Sequence, residues 1–162
     1  MRLNKIRIGA VAVGAVLALG MSACGGGESG ESGGSADTIT IGFMGDLTGE
    51  NSGIVIPPRN GAQMAIDEYN ATNPKTKITL KPYDSQGKPE QANSLAKQAV
   101  QQDKIVGLIG PAFSGESAQV GPILEEAGVP SVSPSATNAA LGKNSWKFWH
   151  RIVGNDDVQG KG

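Results

Sequence analysis

Hydrophobic residues follow two alternating periods along most of this chain. Short apolar segments rich in β-branched residues have the composition and length of β-strands. They predict strands at Thr38–Gly45, Lys77–Tyr83, Ile105–Gly110, Val129–Ser133 and Lys147–Val153. The third is a continuous apolar run, which is typical of a strand covered on both faces of a sheet.

Helical periodicity fills the intervals between these strands. Apolar residues recur at i, i+3, i+4 and i+7 within Gly61–Ala71, and the pair Pro57–Pro58 upstream suits the first turn of that helix. A second helix begins at Pro89, a third covers about Gly115–Ala127, and Asn155 is placed to cap a fourth. The chain therefore alternates strand and helix.

Such alternation predicts an α/β fold, because strand–helix–strand units form right-handed crossovers between parallel strands. We expect a three-layer αβα arrangement around a parallel sheet. Pro82 predicts that its strand either lies at an edge of the sheet or ends there. Ligands of these sheets bind beyond the carboxyl ends of the strands. The loops at those ends are Asp46–Ile56, Asp84–Lys88, Pro111–Gly115, Pro134–Ser145 and Gly154–Asn155.

Two of these loops carry hydroxyl groups and small residues that expose backbone amides. Ser114 stands at the start of the third helix, where N–H groups are unpaired and the helix dipole favours an anion. The segment Ser133–Asn138 follows the next strand and adds Ser135 and Thr137. Together they predict a clamp for a small carboxylate that uses neutral donors. The alternative is that Ser114 and Asn138 are only helix caps and turn formers.

The first 36 residues have a different character. Basic residues precede the uncharged apolar run Ile8–Met21, whose 14 residues are too few to span a bilayer. A signal peptide over residues 1–23 is predicted, and Met21–Cys24 resembles the lipobox of bacterial lipoproteins. That resemblance implies lipidation of Cys24, with residues 24–36 as a Gly/Ser/Glu-rich tether. The protein is then exported and anchored at the outer face of the bacterial cytoplasmic membrane, although an ordinary signal peptide remains the alternative.

Composition narrows the functional classes. The formal net charge is −1, and removing residues 1–23 leaves 11 basic against 15 acidic side chains, near −4. Basic residues are scattered and aromatics are 4% of the chain, which argues against a nucleic-acid partner. Cys24 is the one cysteine, so no internal disulfide forms, and no Cys/His/Asp group has metal-ligand spacing. We expect no metal and no cofactor.

Several segments in their order and spacing resemble the leucine/isoleucine/valine-binding family, the type I periplasmic receptors of ABC importers. They are Gly45–Gly49, Asn60–Asn70, Ile109–Pro111, Glu125–Pro130 and Ser133–Asn138. The resemblance implies that Ser114 binds the carboxylate of an aliphatic amino acid, that Thr137 assists, and that the Ser135 carbonyl takes the ammonium group. It also implies delivery to transporter permease subunits. Residues 37–162 would then be an incomplete N-terminal lobe of a two-lobed receptor.

Two other functions stay open. Some family members place an aromatic residue over the ligand side chain where this chain has Ile54, which leaves the ligand specificity open. One alternative is a ligand sensor or receptor domain of the same fold that binds amides or nucleobases. The second alternative is an exported serine hydrolase. The pattern Gly-x-Ser-x-Gly is not met around Ser114, because Ala112 and Glu116 occupy the glycine positions. His150, the sole candidate base, lies within a predicted strand.

Overall fold

The computed structural model describes residues 37–160 and contains a five-stranded, all-parallel sheet in the order β2-β1-β3-β4-β5. The predicted α/β class is confirmed. The elements are β1 Asp37–Gly45, α1 Ser52–Ala71, β2 Thr76–Asp84, α2 Pro89–Gln101, β3 Gly107–Ile109, α3 Ser114–Ala127, β4 Ser131–Ser133, a 3₁₀ helix Ala139–Lys143, β5 Trp149–Arg151 and α4 Asp156–Gln159.

Both faces of the sheet are covered, as the alternation of side chains along β1 shows. Met44 packs with the apolar faces of α2 and α3, in the cluster that also holds Leu108 of β3. Its neighbour Phe43 points to the other face and packs with Val55 of α1. Successive strand residues face opposite sides, so the helices form one layer on each side of the sheet.

Helix α1 begins nine residues before the predicted start at Gly61. The pair Pro57–Pro58 lies inside the helix rather than in its first turn, so the loop after β1 is shorter than predicted. Tertiary contacts explain the difference. The carboxylate of Asp46 accepts from the Asn51 amide (2.9 Å), directly before the helix, and Val55 in the second turn is buried against Phe43.

Strand β2 occupies an edge of the sheet, as Pro82 predicted. Strands β3, β4 and β5 are each three residues long and therefore shorter than the apolar segments that predicted them. The 3₁₀ helix Ala139–Lys143 lies inside a segment that was expected to be a loop. In that helix Leu141 is buried with Trp149, a contact that local periodicity does not reveal.

The order of strands places a topological switch between β1 and β3, which pair directly although β2 separates them in sequence. The chain leaves β1 toward α1 on one face and leaves β3 toward α3 on the other. Such a point opens a crevice at the carboxyl ends of the strands. Within residues 37–160, no helix is long and apolar enough to cross a membrane. The predicted signal peptide 1–23 and the segment 24–36 with Cys24 lie outside the described residues.

Candidate functional site

The crevice beside this switch is bordered by two segments that we call the β3 loop (Gly110–Phe113) and the β4 loop (Pro134–Asn138). Gly110 has a φ of 119°, and a Cβ at this position would lie 2.3 Å from the carbonyl oxygen of Met44. Only glycine fits so close to β1 with this backbone conformation. The close approach sets where the β3 loop leaves the sheet and where α3 begins.

Ser114 is the first residue of α3, and its hydroxyl oxygen accepts a hydrogen bond from the Asn138 amide (3.1 Å). The N-cap position belongs to Phe113, which has no side-chain acceptor. Ser114 is therefore not the helix cap that the alternative interpretation required, whereas Asn138 does cap the 3₁₀ helix by accepting from Ala140 N (2.8 Å). Among the described residues, no acceptor takes the Ser114 hydroxyl proton, which leaves it available to a ligand.

Two serines join the β4 loop to the β3 loop. Ser133 lies at the end of β4 and Ser135 lies in the β4 loop, and we call the whole stretch Ser133–Asn138 the β4 segment. The Ser135 hydroxyl donates to the Ala112 carbonyl oxygen (2.6 Å), and the Ser133 hydroxyl donates to the Pro111 carbonyl oxygen (2.6 Å). Ser133 also accepts from the Ala136 amide (3.0 Å). These hydroxyls are used for structure. The contribution predicted for Ser135 rests on its backbone carbonyl, which has no donor within residues 37–160.

Thr137 lies between two backbone carbonyls that Arg151 holds. The Nη1 atom of Arg151 donates to Ala136 O (3.2 Å) and to Asn138 O (3.0 Å), while the guanidinium lies 5.4 Å from the ring centroid of Trp149. The Thr137 carbonyl accepts from the Asp156 amide (2.9 Å), and its half-buried hydroxyl has no partner in the part of the chain that the structure describes. The amide of Asn138, the residue after Thr137, donates to the Ser114 hydroxyl oxygen, so Ser114 lies beside the β4 loop. That Ser114, Ser135 and Thr137 bind a ligand stays a prediction. Sequence reasoning missed Arg151.

Beneath the β3 loop lies the carboxylate of Glu116, which is 0% exposed. One of its oxygens accepts from the Ser85 hydroxyl and the other from the Phe113 amide (3.0 Å). Burial raises the pKa of Glu116 above its usual range, and the negative charges of Asp46 and Asp84 act in the same direction. A glutamate at the third position of a helix is a capping-box signal that could have identified this residue.

The loop after β1 forms the next part of the crevice and is fixed by carboxylates. Asp46 accepts from the Gly49 amide (2.5 Å) and the Asn51 amide, and Asp84 at the end of β2 accepts from the Leu47 amide (2.9 Å). Burial opposes ionisation of Asp84, but hydrogen bonds from the Thr48 hydroxyl and from the Leu47, Gln86 and Thr48 amides together lower its pKa. A polar cavity of about 460 Å³ lies between this loop and the segment Gln86–Lys88. Ile54 lies in the first turn of α1 and is 56% exposed.

The features that would support catalysis are not assembled around Ser114. Its hydroxyl is bonded to a backbone amide, and no hydrogen bond within residues 37–160 connects it with His150. His150 is exposed on β5, at the edge of the sheet. No group of three or more His, Cys, Asp or Glu side chains that could hold a metal ion is present in this part of the chain.

Comparison with known sequences places this geometry in a family. A profile of the family described as periplasmic binding protein matches residues 38–156. The chain belongs to the periplasmic binding protein family. The Leu/Ile/Val-binding protein BraC3 of Rhizobium johnstonii is 37% identical over 123 residues, which are 75% of this chain and 33% of that protein. A Pseudomonas aeruginosa protein that binds leucine, isoleucine, valine, threonine and alanine is 32% identical over 127 residues, or 77% of this chain and 34% of that one.

A solved structure of the family shares the fold. The branched-chain amino acid transporter substrate-binding protein LivJ of Streptococcus pneumoniae, in complex with isoleucine, superposes with a TM-score of 0.70 at 32% identity. The match covers 74% of this chain and 35% of that one. Over about three quarters of its length the chain is therefore similar to proteins named for binding branched-chain amino acids. It spans about a third of the length of the curated relatives it matches.

Proposed function

We propose that this chain forms one side of an amino-acid-binding cleft in an extracytoplasmic receptor that delivers its ligand to an ABC importer. The observation that carries the proposal is the place of the Ser114 hydroxyl at the start of α3, next to the β4 loop that carries Thr137, because no described residue accepts the proton of either hydroxyl. Relatives that bind leucine, isoleucine and valine support an aliphatic amino acid as the ligand.

The chemistry of binding follows from the free groups at this edge. The Ser114 hydroxyl and the unpaired amides at the start of α3 donate to the ligand carboxylate, which the positive end of the helix also favours. Thr137 donates a further hydrogen bond, and the Ser135 carbonyl accepts from the ligand ammonium group. The matched relatives are about three times as long as the segment they share with this chain. The proposal therefore assigns the second side of the cleft to a part of the receptor that corresponds to the rest of their length.

The clamp is tested by calorimetry on the full-length protein with leucine and leucinamide. Hydrogen bonds to a charged group contribute about 1.5–3 kcal/mol each. We therefore expect Ser114→Ala to weaken leucine binding by roughly ten- to a hundredfold. Ser94→Ala removes a hydroxyl from an exposed position on α2 and is the matched control, for which no change is expected.

Leucinamide completes the cycle, because it replaces the carboxylate with a neutral group. We expect it to bind the parent protein more weakly than leucine does, and Ser114→Ala to cost less with the amide than with the acid. Equal affinities for the acid and the amide would contradict the carboxylate clamp. That result would favour the alternative of a sensor for amides or nucleobases.

We further propose that Cys24 anchors the mature protein to the outer face of the membrane through a lipid. Burial of acyl chains contributes ~0.8 kcal/mol per CH₂, so a diacylated terminus holds a protein at a bilayer surface. Metabolic labelling with a palmitate analogue should mark the parent protein and not Cys24→Ala. Equal labelling of both would refute the anchor and leave the binding proposal untouched.

A further inference from the structure

We propose that Glu116 is a positioning residue whose buried carboxylate joins the loop after β2 to the β3 loop and thereby orients the Ser114 hydroxyl. The effect of Glu116 on ligand binding rests on the proposed function. The effect of Glu116 on the orientation of Ser114 does not, and it is tested separately on the protein without ligand.

The carboxylate connects segments that are distant in sequence. One oxygen accepts from the hydroxyl of Ser85, 31 residues earlier, and the other accepts from the amide of Phe113, the residue directly before Ser114. Ser85 is itself fixed, because its amide donates to Gly45 O (3.0 Å) and its carbonyl accepts from the Lys88 amide (2.9 Å). Glu116 therefore ties the entry to α3 to the ends of β1 and β2.

A helix cap alone does not account for this arrangement. Capping requires one oxygen bonded to the Phe113 amide, and solvent-exposed glutamates do this at little cost. Here the whole side chain is buried, with Asp46 and Asp84 as the charged groups that oppose its ionisation. Burying a carboxylate is unfavourable unless its hydrogen bonds are satisfied. Satisfying both oxygens from two loops fixes the relative position of those loops, which an apolar side chain would not do.

The consequence for the site passes through Ser114. The position of its oxygen is reported by the hydrogen bond from the Asn138 amide (3.1 Å), which also links the β3 loop to the β4 loop. When Phe113 is no longer held, the first turn of α3 loses its fixed starting point. Ser114 then samples orientations in which it neither accepts from Asn138 nor donates to a ligand.

Three variants of the full-length protein separate positioning from simple packing. Glu116→Ala and Ser85→Ala each break the connection between the loops. Glu116→Gln retains it, because the glutamine amide nitrogen donates to the Ser85 oxygen and its carbonyl accepts from Phe113. Hydrogen exchange of the Asn138 amide, measured by NMR without ligand, reports on the orientation of Ser114, because this amide donates to the Ser114 hydroxyl oxygen. The Gly110 amide, which donates to Val132 O within the sheet (2.8 Å), reads the integrity of the fold.

We expect Asn138 to exchange at least about threefold faster in Glu116→Ala and Ser85→Ala, with the parent rate retained in Glu116→Gln and the Gly110 rate unchanged in all three. Parent-like Asn138 exchange in Ser85→Ala and Glu116→Ala would overturn the inference. So would equal acceleration in Glu116→Gln, because then charge or packing would be responsible. Ser85→Ala keeps the test valid if Glu116→Ala does not fold.

Leucine binding gives the functional arm. We expect Glu116→Ala to weaken binding by about tenfold in the parent and by less than about twofold in the Ser114→Ala background, because it acts through Ser114. Additive losses would overturn the inference while leaving the carboxylate clamp intact. Leucine binding that does not respond to Ser114→Ala would overturn the proposed function, and the exchange measurements would still decide whether Glu116 positions Ser114.

Discussion

The β3 loop and the β4 loop border the same crevice but are fixed by different chemistry. The β3 loop is held from below by a buried carboxylate, Glu116, that reaches a second loop through Ser85. The β4 loop is held by neutral hydroxyls and, at its half-buried outer side, by the guanidinium of Arg151. The β3 loop has a charged support in the interior of the domain, whereas the charged support of the β4 loop is half-buried.

The difference gives the two loops unequal support. The β4 segment donates hydrogen bonds to Pro111 O and Ala112 O of the β3 loop and to the Ser114 hydroxyl oxygen at the start of α3. The same bonds hold the β3 loop, which has Gly110 and Glu116 as further supports that do not involve the β4 loop. A change beneath the β3 loop should therefore disturb both loops, whereas a change at Arg151 should disturb one.

The largest effect is expected from Gly110→Ala. The added Cβ would lie 2.3 Å from Met44 O, at a backbone φ of 119° that disfavours alanine. Strain of this kind costs about 1–3 kcal/mol before any steric overlap is counted. Denaturant unfolding of the full-length protein should show a loss of about 3 kcal/mol or more. Gly53→Ala is the control, since nothing lies within 4 Å of a Cβ there and alanine favours the helix.

A midpoint of unfolding for Gly110→Ala equal to that of the parent would contradict the idea that the β3 loop is fixed by its close approach to β1. If Gly53→Ala were as harmful as Gly110→Ala, the loss would reflect any added methyl group rather than this contact.

A smaller and more local effect is expected at Arg151. Its hydrogen bonds to Ala136 O and Asn138 O are charge-assisted but half-buried, so their loss should weaken leucine binding by about tenfold in Arg151→Ala. Arg151→Lys should recover only part of the affinity, because an ammonium group lacks the planar guanidinium that donates to both carbonyls while it lies over the Trp149 ring.

The Gly110 amide should keep its exchange rate in both Arg151 variants, which distinguishes a local change from a loss of the β3 loop. Lys97→Ala, an exposed cation of α2, should leave leucine affinity unchanged. If Lys97→Ala had the same effect as Arg151→Ala, net charge rather than support of the β4 loop would be the cause.

The smallest effect is the pH dependence of stability that Glu116 contributes. Its pKa is raised by burial, so the folded protein binds this proton more tightly than the unfolded chain does. The stabilisation is complete below the ordinary pKa of 4.5 and is lost as pH rises through the folded pKa. Relative to the parent, Glu116→Gln should therefore gain stability as pH rises through this range. A stability difference that is constant with pH, measured by denaturant unfolding, would show that Glu116 does not titrate in this way.

The sequence was informative where periodicity and strand order determine the structure. The parallel sheet, the edge position of Pro82 and the place of Ser114 beside the β4 loop all follow from alternating elements whose carboxyl ends share one edge. The start of α1 could not be read in this way, because it depends on Asp46 and on the burial of Val55.

The support of the site was harder to predict than the site itself. Ser85 and Glu116 belong to different loops, and no local pattern indicates that their side chains meet. Arg151 likewise donates to carbonyls of the β4 loop, although the 3₁₀ helix separates it from that loop in sequence. Contacts of this kind depend on how the elements pack in three dimensions, which hydrophobic spacing along a single chain does not specify.

The residues of the β4 segment differ in what their side chains do, which bears on how periplasmic binding proteins diversify. Ser133 and Ser135 direct their hydroxyls to the β3 loop, so substitutions at these positions alter the shape of the segment. Thr137 holds its place through its backbone, and its side chain makes no hydrogen bond with any described residue. Selection can therefore exchange the side chain at Thr137, and with it the group presented to a ligand, while the loop keeps its form.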